Sequence, residues 1–268
     1  MALSNITLGQ FYPADSVVHK LDPRVKIILL IAVIVAIFLA GNLVAFVPVI
    51  LFLALATRLS KVPLRLMIKG LKPLRFILIL TFILNLFFLQ GETPLLDLGF
   101  AVIKTESLIT AVHYSLRLVL LVLASSLLTL TTAPVTLTDG LERLLSPLRV
   151  IRFPAHEMAM MMTIALRFIP TLLEEADKIM KAQTARGADF ESGNLIARAK
   201  AMVPLLVPLF VSAFRRAGDL AMAMEARCYH GGEGRTRLRV LKCERRDYLA
   251  CGAVALLIVC VILCGKIY

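Results

Sequence analysis

Between Ile27 and Ala56 the sequence has no charged residue, and its apolar run is broken only by Gly41-Asn42. A single helix over that length would extend about 45 Å at 1.5 Å per residue, well beyond a hydrocarbon core of about 30 Å. Two short spans joined by a tight turn are therefore predicted. Arg24 and Lys26 precede the pair, and Arg58, Lys61, Arg65, Lys69, Lys72 and Arg75 follow it without an intervening acid. Both basic clusters belong on the cytoplasmic side, so an even number of crossings lies between them.

The remaining apolar runs extend this pattern. A third span, Phe76 to Leu89, leads to a loop holding Glu92, Asp97, Lys104 and Glu106, whose lack of positive bias marks it as external. A fourth, Leu108 to Leu130, returns to the inside. Arg235, Arg237, Arg239, Lys242, Arg245 and Arg246 then hold a basic linker at the cytoplasmic face before a fifth span, Tyr248 to Cys264, which leaves Lys266 to Tyr268 external. Five crossings with the N-terminus inside satisfy every charge cluster.

Composition agrees with this reading. At 268 residues, 59% hydrophobic, with a mean hydropathy of +0.85, the chain is a polytopic membrane protein rather than a soluble domain. Its formal charge of +12 sits in short runs beside apolar spans, which argues for topology at an anionic leaflet and against a nucleic-acid partner. Residues 1–19 lack both the basic start and the apolar core of a removable signal peptide. The five cysteines form no Cys-x-x-Cys pair and read as small hydrophobes. Within the fourth span His113 and Arg117 share one face. They are candidates for an intramembrane function, or for a structural pairing with a neighbouring helix.

Residues 136–153 change character. Leu137, Leu141, Leu144, Leu145 and Leu148 form a stripe backed by Asp139, Glu142, Arg143 and Arg149, as in a helix lying along a membrane surface or against protein. Beyond it, one pattern is written twice at an offset of 41 residues. The first copy has the stripe Ile169, Leu172, Leu173, Ala176, Ile179 and Met180, and ends in Ala185-Arg186-Gly187. The second has Phe210, Ala213, Phe214, Ala217, Leu220 and Ala221, and ends in Ala226-Arg227-Cys228. Two helices of about 50 Å are predicted, 154–186 and 195–227, with Pro170, Pro204 and Pro208 as kink sites and a charge content that keeps both out of a full crossing. Small residues at matching places, Ala176 and Ala217, would let the helices cross closely. An arginine at a helix end offers a charged planar fork to a partner's carboxylate or carbonyls, and also serves simply as a C-terminal cap. Two such ends in register favour the docking reading.

On these residues the chain resembles the integral-membrane T component of energy-coupling factor (ECF) vitamin transporters. In that family a pair of Ala-Arg-Gly motifs ends two long cytoplasmic coupling helices, each docking on one of two ATP-binding-cassette ATPases. Ala185, Arg186 and Gly187 fall on the first motif, and Ala226, Arg227 and Cys228 on the second, where Cys228 replaces the usual glycine. The stretch His19 to Lys26 also resembles the family's N-terminal segment. The resemblance implies an all-α polytopic membrane protein with about five transmembrane helices. It also implies a cytoplasmic coupling domain of two long crossed helices plus a short amphipathic one. Residues 1–133 would hold four spans, 134–234 the coupling domain, and 235–268 the basic linker and last span.

What this implies for function is a coupler. Motion of two ATPases, by the resemblance a heterodimer, would pass to interchangeable substrate-binding S subunits in the cell membrane, with ATP and magnesium held by the partners. The residues agree. No Gly-x-x-x-x-Gly-Lys-[Ser/Thr] phosphate loop is present, since Gly231, Gly232 and Gly234 lead to Arg-Thr-Arg. His156-Glu157 starts like a zinc-protease motif, but Met160 stands where the second histidine is needed, so neither a catalytic group nor a metal site is expected. Eight of the ten methionines lie between residues 158 and 224, suiting either an adaptable partner surface or plastic packing between helices. The alternative is a self-contained secondary transporter. It would require intramembrane acids for ion coupling, which the spans essentially lack.

Overall fold

The structure is a computed structural model and describes residues 11–88, 94–97, 102–151, 153–190, 194–231 and 241–267. The expected positions Glu92, Gly232, Gly234, Arg235, Arg237 and Arg239 lie outside them. The described helices are α1 (Pro23–Leu39), α2 (Phe46–Ser60), α3 (Leu64–Leu71), α4 (Arg75–Phe88), α5 (Thr105–Thr131), α6 (Pro134–Leu145), α7 (Ala155–Ala185), α8 (Leu195–Glu225) and α9 (Arg245–Ile267). A small antiparallel hairpin, β1 (Pro94–Asp97) with β2 (Val102–Lys104), joins α4 to α5. The architecture is that of an all-α polytopic membrane protein.

The first apolar run divides as expected. α1 ends at Leu39, and a 3-10 turn over Leu43–Ala45 leads into α2, so Gly41-Asn42 is the corner. Asp22 caps α1, its Oδ1 accepting the Arg24 backbone N–H at 2.9 Å, with Pro23 as the first helical residue. The basic run after α2 is helical rather than a bare loop. α3 and a 3-10 turn over Lys72–Leu74 lead directly into α4, so Leu64–Phe87 is one long apolar candidate span.

Among the described residues, five helical stretches are long and apolar enough to cross a membrane: Leu43–Ser60, Leu64–Phe87, Thr105–Thr131, Lys200–Glu225 and Arg245–Lys266. The expected first span, α1, falls just short of this set, and the reading of α8 is corrected. At 17 residues α1 sits at the lower limit of a spanning helix. In α8 the interval from Ala201 to Phe214 carries no charge at all, so composition does not keep this helix out of a bilayer as it does α7.

The chain divides into two compact units, one formed among the described residues by 11–140 and 241–267, the other by 141–231. The division falls inside α6. In the first unit α1, α2, α5 and α9 share a core of Val33, Ala36, Ile37, Phe46, Val49, Leu53, Leu120, Ala124, Val254, Leu257 and Val261. Their outer faces are also apolar, with Ile31 and Phe38 on α1, Leu51 on α2 and Leu256 on α9 more than half exposed, as expected of helices solvated by lipid. Gly140 brings α6 against the start of α1: a Cβ there would stand 3.0 Å from the Pro23 Cβ.

Polar groups tie the basic ends of these helices together. The buried Asp247 accepts the Asp22 N–H at 2.9 Å through Oδ1 and the Glu244 N–H at 2.7 Å through Oδ2, joining the start of α9 to the cap of α1. Lys26 is not a free topology charge as the sequence suggested, because it is buried. Its Nζ donates to the carbonyls of His19 (3.1 Å) and Thr131 (3.0 Å) and to Thr132 Oγ1 (3.3 Å), placing a cation at the C-terminal end of α5. Arg117 follows the structural reading. Its Nη2 lies 3.0 Å from both the Ala40 carbonyl and His113 Nε2, closing the end of α1, and its guanidinium lies 5.5 Å from the Phe38 ring and 5.6 Å from the Tyr114 ring.

Candidate docking tips of the paired helices

α7 and α8 are each 31 residues long and run unbroken through Pro170, Pro204 and Pro208. Both terminate in the same way. At the end of α7, Gly187 N–H donates to the Thr184 carbonyl and Ala188 N–H to the Gln183 carbonyl, both at 3.0 Å, with Gly187 at φ 88°. At the end of α8, Cys228 N–H donates to the Glu225 carbonyl at 2.8 Å and Tyr229 N–H to the Met224 carbonyl at 3.1 Å, with Cys228 at φ 55°. This is one paired-bond helix stop made twice, 41 residues apart, with the arginine immediately before the left-handed residue each time. Ala185, Arg186, Gly187, Ala226, Arg227 and Cys228 are all exposed.

Cys228 thus takes the glycine's conformation without glycine's freedom. A left-handed residue carrying a Cβ costs about 1 kcal/mol relative to glycine. Cys228→Gly is expected to stabilise the end of α8 by about that amount, read as slower amide exchange over residues 222–229. No change in exchange, or faster exchange, would contradict the geometry.

The crossing differs from expectation in α8. Ala176 on α7 is buried, but Ala217 is exposed, as are Phe210 (61%), Phe214 (74%) and Ala221. The partly covered face of α8 instead runs through Ala201, Leu205, Leu209, Ser212, Ala213, Arg216, Leu220 and Met224. The expected stripe is therefore turned outward, save for Ala213 and Leu220. Burial and charge act together on that face: Leu205 is 5% exposed, and Arg216 Nη2 donates to Glu175 Oε2 at 2.7 Å. Glu175 and Arg216 are themselves 41 residues apart, so equivalent positions of the two copies carry opposite charges and meet.

Ser212, through a hydrogen bond, and Arg216, through its charge and its own bond, hold the Glu175 carboxyl below the usual carboxylate range. Because the folded value is depressed, this stabilisation is complete above about pH 4.3 and is lost as pH falls through the folded value. Glu175→Arg or Arg216→Glu alone should loosen the pair by about 1 kcal/mol, and the double exchange should restore most of it. A thermal-melting cycle on the four proteins measures this, and purely additive single effects would rule the contact out.

Exposed methionines lie on both helices, Met158, Met161 and Met162 on α7 and Met202 and Met222 on α8. For these five, packing between helices is not the role. His156 lies with Nδ1 3.0 Å from Glu142 Oε1, a contact that ties α7 to α6.

A family model described as "Cobalt transport protein" (CbiQ) matches residues 14–238. The chain is 52% identical over 267 residues to the energy-coupling factor transporter transmembrane protein EcfT of Clostridium kluyveri, covering 99% of this chain and 98% of that one. It belongs to the EcfT family. The EcfT protein of Thermosediminibacter oceani is 52% identical over 257 residues, 96% of this chain and 97% of its own. That of Lactococcus lactis is 43% identical over 265 residues, 99% and 100%. The similarity runs through both membrane helices and paired helices. The chain is accordingly a multi-pass membrane protein of energy-coupling factor transporter type.

Proposed function

We propose that this chain is the coupling subunit of an ECF-type importer. It carries motion generated by two ATP-binding-cassette ATPases to a small substrate-binding S subunit, for uptake of a vitamin or other micronutrient. Arg186 and Arg227 are the contacts to the ATPases, one each, with Ala185, Gly187, Ala226 and Cys228 shaping the docking ends. ATP and magnesium belong to the partners, and this chain does no chemistry. The N-terminus and the paired helices lie on the cytoplasmic side, where the basic clusters direct them.

One observation supports this above the rest: two long helices stop with the same hydrogen-bond pattern and each presents an exposed arginine at the stop. A rigid end with a charged planar donor is suited to receiving a push without swivelling. The Glu175–Arg216 contact joins the two helices, so displacement of one end is transmitted to the other. The exposed apolar side of α8, with Phe210 and Phe214, and the exposed methionines provide an adaptable face for different S subunits or for lipid.

Affinity purification of the tagged chain from membranes of an organism that encodes it tests the proposal. Two ATPases and a small membrane protein carrying a bound micronutrient are the expected company. A chain that purifies alone and still supports uptake in vesicles without ATP would overturn it.

A further inference from the structure

The membrane unit contains an apolar cavity of about 350 Å³ that the transport reading does not use. It lies between α1, α2, α5 and α9, floored by the buried Leu53, Ala124 and Val254. Its walls also include Leu55 and Leu59 on α2 and Leu249 on α9, and these three are half or more exposed. The cavity therefore opens sideways between α2 and α9, toward lipid. α2 and α9 pack through Phe46, Val49, Leu53, Val254, Leu257 and Val261 but leave a wedge toward their basic ends.

That wedge ends among cations. Arg246 lines it, and its Nε is 3.7 Å from Glu244 Oε2, too far for a hydrogen bond. Lys61, the residue that ends α2, and Lys20 are exposed nearby. Asp15 reports their proximity: a bond from Lys20, at 2.6 Å, and the charges of Lys20, Lys61 and Arg246 together hold its carboxyl below its ordinary value. Lys26 also lines the cavity, but its three donors are already committed to protein oxygens, so it adds a polar roof rather than a free charge.

We propose that the cavity is a binding site for one acyl chain of an anionic phospholipid, whose phosphate is held at the mouth by Arg246 and Lys61. An apolar slot open to the bilayer and bordered at headgroup level by more cations (Lys20, Lys61, Arg246) than acids (Asp15, Glu244) is complementary to that amphiphile. A chain lodged there would fill the wedge between α2 and α9 and set the spacing of their basic ends. The inference needs only that these ends lie at headgroup depth, so it stands apart from the transport reading.

The chain contains no tryptophan, which makes a direct test available. Phe52→Trp places a reporter in the cavity wall and Ile83→Trp a control on the exposed surface of α4. Both are reconstituted into phosphatidylcholine nanodiscs containing a small fraction of phosphatidylglycerol or phosphatidylcholine with brominated chains. The Phe52→Trp reporter should be quenched about fivefold more effectively by the brominated anionic lipid, while the control shows no headgroup preference. Adding Arg246→Gln should remove most of the preference. If Phe52→Trp loses helicity by circular dichroism, Leu55→Trp at the mouth replaces it, with the same expected ratio. Equal quenching by the two headgroups at the cavity, or a preference unchanged by Arg246→Gln, would overturn the proposal.

Discussion

Replacing Arg186 and Arg227 together by glutamate is expected to abolish capture of the ATPases and reduce uptake to background, with the membrane fold intact. Each arginine is exposed at the end of a helix and the local hydrogen bonds there are made by backbone groups, so neither side chain is needed for the stop itself. Truncating one partner of a desolvated charged contact costs about 2–5 kcal/mol of association, or roughly thirty- to several-thousand-fold in affinity, and reversal adds repulsion. Single variants should each weaken capture, since two independent contacts are then reduced to one. Arg→Lys variants should fall between, because lysine keeps the charge but loses the bidentate fork. The readout is the amount of ATPase co-purified with the tagged chain, beside its melting temperature. Undiminished capture by the double variant would remove the docking role from both residues.

The largest effect on stability is expected at Asp247. Its carboxylate satisfies two backbone N–H groups, those of Asp22 and Glu244, and its side chain is 3% exposed. Asp247→Ala leaves the Asp22 donor unpaired in a buried setting, at about 1–3 kcal/mol, and the part-buried Glu244 donor unpaired at a smaller cost. Asp247→Asn is expected to be nearly as damaging despite its equal size, because one of the two positions then presents N–H₂ toward an N–H. Glu244→Gln, which keeps the backbone N–H and alters only an exposed side chain, should change stability by less than about 0.5 kcal/mol. Thermal unfolding in detergent compares the three. A silent Asp247→Ala would mean that α9 is held to α1 by apolar packing alone.

Acid acts on the same corner. Burial disfavours the charged form of Asp22, but the bonds and charge of Arg24 outweigh it and leave the carboxyl below its ordinary range. Its capping contribution to α1 is therefore complete above about pH 4 and declines as pH falls through the lowered value, so a Asp22→Asn chain should lose less stability on acidification.

The break at Gly41-Asn42, the cap at Asp22, the spans of α2, α4, α5 and α9, and both arginine-tipped helices were legible because each is written in local terms. Apolar length, a proline after an aspartate and a residue able to turn left-handed act within a few positions of themselves. The burial of Lys26 and the double duty of Asp247 were not legible, since their partners lie 105 and 225 residues away. The orientation of α8 was hidden for another reason. That helix is apolar on more than one side, and helical periodicity cannot rank two apolar faces when one is destined for lipid or a partner.

By itself, then, the order of residues determined that this chain is a set of membrane helices with a duplicated pair of long helices, stopping on Arg186 and Arg227, placed before the last of them. Tertiary structure alone decided which face of α8 meets α7, and that Lys26 and Asp247 bind the helix ends together. The difference lies in range. Hydrophobic length and helix stops are settled by neighbours in the chain, whereas a buried charge is settled by whichever distant donor or acceptor replaces its water.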